Sequence, residues 1–286
     1  MLILSYKEAK VLLDAARLNK SVINSSLNLG KTTGDVIITS NETNKFDFLF
    51  PGDKHLNFEQ IKKITETEGV CFLIEDNNPI KIQLFSPDTN LFYKLLPTLD
   101  WPTLEISGVR MHRVTQVTPK KDTEMKIELI KPVTGKCLDT CCGLGYTAIG
   151  MMYAGASEVI TVEKDPNCLE ICRHNPWSQE LFHSKAITVL EGDVFEKIKT
   201  MKPNSFDRII HDPPSFAFAG PLYSPEFYGE LYRVLKKDGK LYHYTGRPGA
   251  VRTNRDLIGD TVKRFKQAGF REIARQDKTL GVSCIK

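Results

Sequence analysis

The stretch Cys137-Leu-Asp-Thr-Cys-Cys-Gly-Leu-Gly-Tyr-Thr147 decides the fold. Apolar residues run to Asp139, a turn with Gly143 and Gly145 follows, and a helical run begins at Tyr146. A strand that turns tightly into a helix opens a parallel α/β sheet. Glycine adopts turns that side chains resist and lets the backbone come close to a ligand. Free amides at the start of the next helix favour a carboxylate or a phosphate. Alone, the motif equally describes a tight turn with no ligand.

Working outward, the same rhythm repeats. Apolar runs predict strands over residues 136–140, 158–162, 186–190, 206–211 and 239–244. Helical spacing predicts helices over 166–175, 225–234 and 255–268, with terminal strands over 270–276 and 280–285. Strands alternating with helices imply right-handed crossovers and a sheet covered on both faces. Ligands bind beyond the carboxyl ends of such strands. Acids stand there in order: Asp139, then Glu163 at 24 residues' distance, then Asp193, then Asp212. Singly, each is as readily a helix cap or a solvated carboxylate. Four at four successive strand ends form a pattern. Glu163 is placed to accept both ribose hydroxyls, and Asp193 to accept from an adenine amino group.

These residues resemble a class I S-adenosylmethionine-dependent methyltransferase over 111–286. The carrying pattern is Asp139…Gly143-x-Gly145, Glu163, Asp193 and Asp212-Pro-Pro. A nicotinamide fingerprint fits less well, because Cys141 and Ala148 stand where it needs glycine. The resemblance implies an α/β fold: a Rossmann-like seven-stranded methyltransferase sheet, with a smaller N-terminal α+β domain over 1–110. It implies S-adenosyl-L-methionine as cofactor, held by Asp139, Cys141, Gly143, Gly145, Tyr146, Thr147, Glu163, Lys164, Asp193 and Val194. His112, Arg113, Thr118 and Pro119 lie where the family folds a segment over the cofactor. More distantly, the whole chain resembles a group of uncharacterised archaeal-type methyltransferases. That likeness rests on Met111-His-Arg113, residues 138–148, His211-Asp-Pro-Pro214 and Tyr223-Ser-Pro-Glu-Phe-Tyr228.

Asp212-Pro213-Pro214-Ser215-Phe216 sits where an acceptor meets the methyl group. Methyl transfer is an in-line displacement, so the protein need only align the nucleophile. In amine methyltransferases an Asp/Asn-Pro-Pro-aromatic motif accepts from the amine and stacks its ring on a planar acceptor. Fixed proline φ angles stiffen the loop. Here Ser215 intervenes, so Phe216 comes one place late. The form also resembles RNA 5-methylcytosine enzymes, but the acceptor loops hold no nucleophilic cysteine. His211 and His243 are candidate bases or orienting groups, with a buried hydrogen-bonded histidine as the alternative. Tyr223, Phe227 and Tyr228 line an acceptor pocket or a helical core.

Composition bounds the rest. With 286 residues, 41% hydrophobic and 26% charged, the chain is long enough to bury a core without metal or disulfide. No apolar run approaches the roughly 20 residues of a membrane span, so no membrane partner is expected. The N-terminus lacks the features of a secretory signal. Seven cysteines, an odd number, suit a reducing cytoplasm better than a disulfide framework. Cys168, Cys172 and His174 make no complete metal knuckle, so no metal is expected. The first 110 residues carry 12 Lys and Arg against 14 Asp and Glu, the remainder 27 against 21. Arg247, Arg252, Arg255, Lys263, Arg264 and Lys266 make a basic stretch that is a solvated face or a phosphate-binding patch. That charge split keeps RNA and a small amine both open as acceptors, with RNA the first to test.

In the N-terminal part, residues 6–18 and 58–67 predict helices and 35–40, 70–74 and 80–85 predict strands. Residues 86–102, with Pro87, Pro97 and Pro102, read as irregular. The leading function is methyl transfer to nitrogen. The rival is an aminopropyltransferase using decarboxylated S-adenosylmethionine, which residues 220–228 and 235–239 resemble. That family's acidic Gly-Gly-Gly-Asp-Gly turn is absent. A non-catalytic cofactor- or RNA-binding subunit is the third reading.

Overall fold

A computed structural model describes residues 1–40, 46–246 and 256–286. Two compact units divide the chain: residues 1–119 with 170–179, and residues 120–169 with 180–286.

The second unit holds, among the described residues, a seven-stranded sheet. Its strands are β1 Lys136–Asp139, β2 Glu158–Glu163, β3 Ile187–Glu191, β4 Phe206–His211, β5 Leu235–Tyr244, β6 Arg271–Gln276 and β7 Gly281–Ile285. Their order is β3-β2-β1-β4-β5-β7-β6. The first five run parallel, and β7 is antiparallel to both its neighbours. The order reverses between β1 and β4, which opens a crevice at the carboxyl ends of those two strands. The Rossmann-like methyltransferase sheet is therefore the observed fold. Among the described residues, the helices of this part of the chain are α1 Pro119–Glu128, α2 Tyr146–Tyr153, α3 Pro166–Arg173, α4 Glu180–His183, α5 Val194–Thr200, α6 Phe216–Ala219, α7 Pro225–Val234 and α8 Leu257–Ala268.

Local chemistry sets these elements. Cys137, Leu138 and Asp139 are buried in succession, as a central strand covered on both faces requires. Ser224 caps α7 by accepting from the Phe227 amide, Pro225 takes the first turn, and Phe227, Tyr228, Leu231 and Val234 form the buried face. Asp256 caps α8, and Gly269 ends it at φ 105°. The buried face of α7 joins Leu138, Ile209, Leu241 and Val282 of the sheet and Phe265 of α8 in one core. The expected start of α8 at Arg255 lies outside the described residues, as do Arg247 and Arg252 of the basic stretch.

Among the described residues, the N-terminal unit contains helices Tyr6–Arg17 and Phe58–Thr65 and three antiparallel sheets. Ser5 and Glu8 form a reciprocal capping box on the first helix. Its buried face, Ala9, Leu12, Leu13 and Ala16, meets Phe48, Leu56, Ile61 and Phe72 in a separate core. Two expectations are corrected. Residues 86–102 are not irregular throughout, because Leu91–Leu96 is a strand with Tyr93 and Leu95 buried. Pro87, Pro97 and Pro102 stand outside it, where a missing amide breaks no ladder. The strand expected over 80–85 is two strands, Asn78–Lys81 and Gln83–Ser86, in different sheets. Ile82 parts them: its amide donates to Cys71 and its carbonyl accepts from Leu95. Trp177 secures residues 170–179 to this unit, donating to the Leu29 carbonyl at 3.0 Å with its ring 5.2 Å from that of Trp101.

No described helix is long and apolar enough to cross a membrane.

Candidate active site

The turn after β1 is organised around one sealed carboxylate. Asp139 is fully buried, and its two oxygens accept from Thr147 on α2 at 3.0 Å and Thr161 on β2 at 2.8 Å. Burial raises its carboxyl to about 7, against the pull of those two hydroxyls. With both oxygens engaged by threonines, Asp139 braces the turn. Gly143 and Gly145 both have positive φ, 54° and 78°. They serve different ends. A Cβ on Gly145 would meet Leu181 at 2.4 Å, so this glycine is needed for packing. A Cβ on Gly143 would project into open space, with nothing within 4 Å. Tyr146 and Thr147, the first residues of α2, are buried. Burial keeps the Cys141 thiol protonated by pushing it well up.

Glu163 ends β2 and is half-buried. Its carboxylate accepts from the Gly143 amide at 2.8 Å and the Asp165 amide at 3.0 Å, which ties the β2 end to the glycine turn. Burial raises its carboxyl, opposed by those amides. Asp193 follows β3 and caps α5, accepting from the Phe195 amide at 2.9 Å, and pairs with Lys164 at 2.9 Å. Burial raises the Asp193 carboxyl, but Lys164 and that amide outweigh it and leave it below the usual range. Val194, beside it, is buried. An open face at Gly143 bordered by acceptor carboxylates on β2 and after β3 fits an adenosyl cofactor, which needs close backbone approach and acceptors for ribose and adenine.

The β4 end carries the second half of the site. Asp212 keeps 22% of its side chain exposed and binds the Lys126 ammonium through Oδ2 at 2.6 Å. Among the described residues its Oδ1 has no hydrogen-bond partner. Lys126, on α1, is also 2.8 Å from Asp122 and 4.9 Å from the centre of the Tyr244 ring. Burial lowers the Lys126 ammonium, and Asp212 and Asp122 more than reverse it, so it stays charged. Pro213 is buried, Pro214 is exposed, and the Tyr223 hydroxyl holds the loop by donating to the Pro214 carbonyl at 2.9 Å. Phe216 meets Tyr223 edge to face at 5.5 Å. Arg264 donates to the Tyr223 carbonyl.

Of the two readings open for the histidines, the buried, hydrogen-bonded one fits both, and neither is placed as a base. His211 is fully buried, with Nε2 3.0 Å from the Leu222 carbonyl and Nδ1 2.7 Å from the Thr140 hydroxyl. Since a carbonyl only accepts, Nε2 carries the proton and Nδ1 accepts. Burial lowers this imidazole to about 3. His243 likewise donates from Nδ1 to the His211 carbonyl and accepts at Nε2 from Tyr228, 2.9 Å away. Its ring lies 4.4 Å from that of His211, and burial pushes it well below the ordinary histidine value. Neither ring has a nitrogen left for an acceptor's proton. Sequence reasoning missed Asp122, Lys126, Thr140, Thr161 and Tyr244. The readable signal was the four-residue spacing of Asp122 and Lys126, which pairs them on one helix face.

Known proteins match this architecture. The profile of the family described as "Methyltransferase domain" matches residues 137–239. The uncharacterised protein MJ1233 of Methanocaldococcus jannaschii is 41% identical over 287 aligned residues, covering 100% of this chain and 97% of that protein. This chain belongs to the MJ1233 family. A polyamine aminopropyltransferase of Streptomyces coelicolor is 31% identical over 102 residues, 34% of this chain and 18% of that protein. Spermidine synthase of Thermotoga maritima superposes with a TM-score of 0.53 at 16% identity, over 74% of this chain and 76% of that one, a likeness of fold.

Proposed function

We propose that this protein is an S-adenosyl-L-methionine-dependent methyltransferase that methylates an amine nitrogen at the Asp212-Pro213-Pro214 loop. One observation carries the reading: at the β4 end, beside the glycine turn of β1, Asp212 presents an oxygen that no described residue occupies. Gly143, Glu163, Asp193 and Val194 would hold the cofactor, with Lys164 supporting Asp193. When bound, S-adenosylmethionine supplies a methyl on a sulfonium: a C–N bond forms, the C–S bond breaks with its electron pair left on sulfur, and the nitrogen releases one proton.

The chain's own part is alignment. Asp212 Oδ1 accepts an N–H of the acceptor and turns the nitrogen lone pair toward the crevice. Pro213, Pro214 and the Tyr223 hydroxyl keep that oxygen in place, and Phe216 flanks it. The buried histidine pair braces the floor. No side chain serves as nucleophile, and with both histidines engaged the released proton goes to solvent.

Asp212→Ala tests this. It should leave S-adenosylhomocysteine affinity within about twofold by calorimetry while transfer of labelled methyl into an extract fraction falls about 10²-fold or more. Turnover near the wild-type rate would refute the role of Asp212. RNA is the acceptor to test first: filter binding to it should fall steeply with salt, and a flat response would favour a small amine. The second reading is aminopropyl transfer, favoured by the aminopropyltransferase relatives. Tighter binding of decarboxylated S-adenosylmethionine than of S-adenosylmethionine would establish it against the first.

A further inference from the structure

The β4 carboxylate is held by a device that methyl transfer as such does not require. Lys126 is 7% exposed, and its ammonium bridges Asp122 Oδ2 at 2.8 Å and Asp212 Oδ2 at 2.6 Å. An ammonium taken out of water is costly unless it is paired and hydrogen-bonded. One carboxylate would neutralise it. Two are present, and both hold the same ammonium. Asp122 lies one helical turn before Lys126 on α1 and fixes the ammonium from its own helix. Tyr244, at the end of β5, covers it with its ring face.

We propose that Lys126 is a positioning residue that fixes Asp212 and makes the site select acceptors presenting an N–H. The inference deepens the methyltransferase reading and rests on it. Lys126 occupies Oδ2, which leaves Oδ1 as the free edge of the carboxylate. An ionised carboxylate only accepts hydrogen bonds. The free edge therefore welcomes an amine or an exocyclic amino group and repels a carbonyl, carboxylate or phosphate oxygen. Without Lys126, Asp122 and Asp212 lose their common counter-ion and the Asp212 side chain loses its anchor.

Two measurements test this. Sulfo-N-hydroxysuccinimide acetate should label Lys126 about tenfold or more slowly than the exposed Lys121 of the same helix. In labelled-methyl transfer, Lys126→Met should keep S-adenosylhomocysteine affinity within about twofold but lower kcat about tenfold or more, with partial rescue by Lys126→Arg. A merely structural lysine would not show that split or that rescue. Lys126 labelled as fast as Lys121, or Lys126→Met with wild-type kcat and KM, overturns the inference alone. A wild-type protein that binds no S-adenosylhomocysteine and transfers no methyl overturns the methyltransferase reading and this inference with it.

Discussion

Replacing Asp139 by Asn should change how the stability of the sheet unit depends on pH. The carboxyl is sealed between β1, β2 and α2, and burial raises it from 3.8 to about 7. The folded state thus holds this proton more tightly than the unfolded chain does. The resulting stability is fully present below the unfolded value near 4 and is lost as pH rises through about 7. Each pH unit between the unfolded and folded values is worth about 1.4 kcal/mol, so the whole swing is roughly 4 kcal/mol, of which roughly 2–3 kcal/mol falls between about pH 5 and pH 8. His211 works the other way. Its folded value is depressed from 6.5 to about 3, so its stability is present above 6.5 and is lost as pH falls. In the wild type the two slopes offset each other. Asparagine retains the size of the side chain and removes the titration; the NH2 that replaces one accepting oxygen changes stability by a similar amount at every pH, so it leaves the slope unaffected. The Asp139→Asn protein should therefore gain roughly 2–3 kcal/mol more stability than the wild type on going from about pH 5 to pH 8. The assay is urea unfolding of the cofactor-free protein followed by far-ultraviolet circular dichroism. Tryptophan fluorescence is unsuitable, because both tryptophans, Trp101 and Trp177, belong to the N-terminal unit. If wild type and variant change in parallel to within about 0.5 kcal/mol, Asp139 does not carry a raised pKa and the account of the turn fails.

The two glycines of the turn should separate. Gly145→Ala should cost about 2 kcal/mol or more in urea unfolding, from its left-handed φ together with the clash on Leu181. Gly143→Ala meets no neighbour, so it should cost only about 1 kcal/mol yet weaken S-adenosylmethionine binding more than it weakens the fold; equal losses would contradict an open cofactor face. Tyr223→Phe removes the hydrogen bond to the Pro214 carbonyl and should cost about 1 kcal/mol, with faster protease cleavage between residues 214 and 220; an unchanged cleavage rate would show that this bond does not hold the loop.

The parts of this protein that read directly from sequence are those that depend on short-range order. β1, its glycine turn and α2 are consecutive, so their chemistry lies in one string of letters. Glu163, Asp193 and Asp212 announce themselves because each ends or follows a strand that is itself legible. The histidines were legible as residues but not as to role. A sequence shows that His211 and His243 stand near neighbouring strand ends, and only packing shows that the Leu222 carbonyl, Thr140 and Tyr228 consume their nitrogens. In the N-terminal unit the prolines around Leu91–Leu96 masked a strand, because a proline just outside a strand and one inside it look alike without the pairing partner.

By itself the sequence determined the alternating sheet, the place of the crevice and which acids border it, since strand and helix periodicities and turn residues are local properties. Tertiary structure alone decided what those acids do. Asp139 turned inward to brace a turn, and Asp212 was left one free oxygen by a lysine 86 residues earlier in the chain. That pairing has no sequence signature: the helix pairs Lys126 with Asp122, and only the fold takes its ammonium out of water and onto the second carboxylate. Burial is what turns an ordinary ion pair into a device that can select an acceptor, and burial belongs to the assembled unit rather than to any stretch of it.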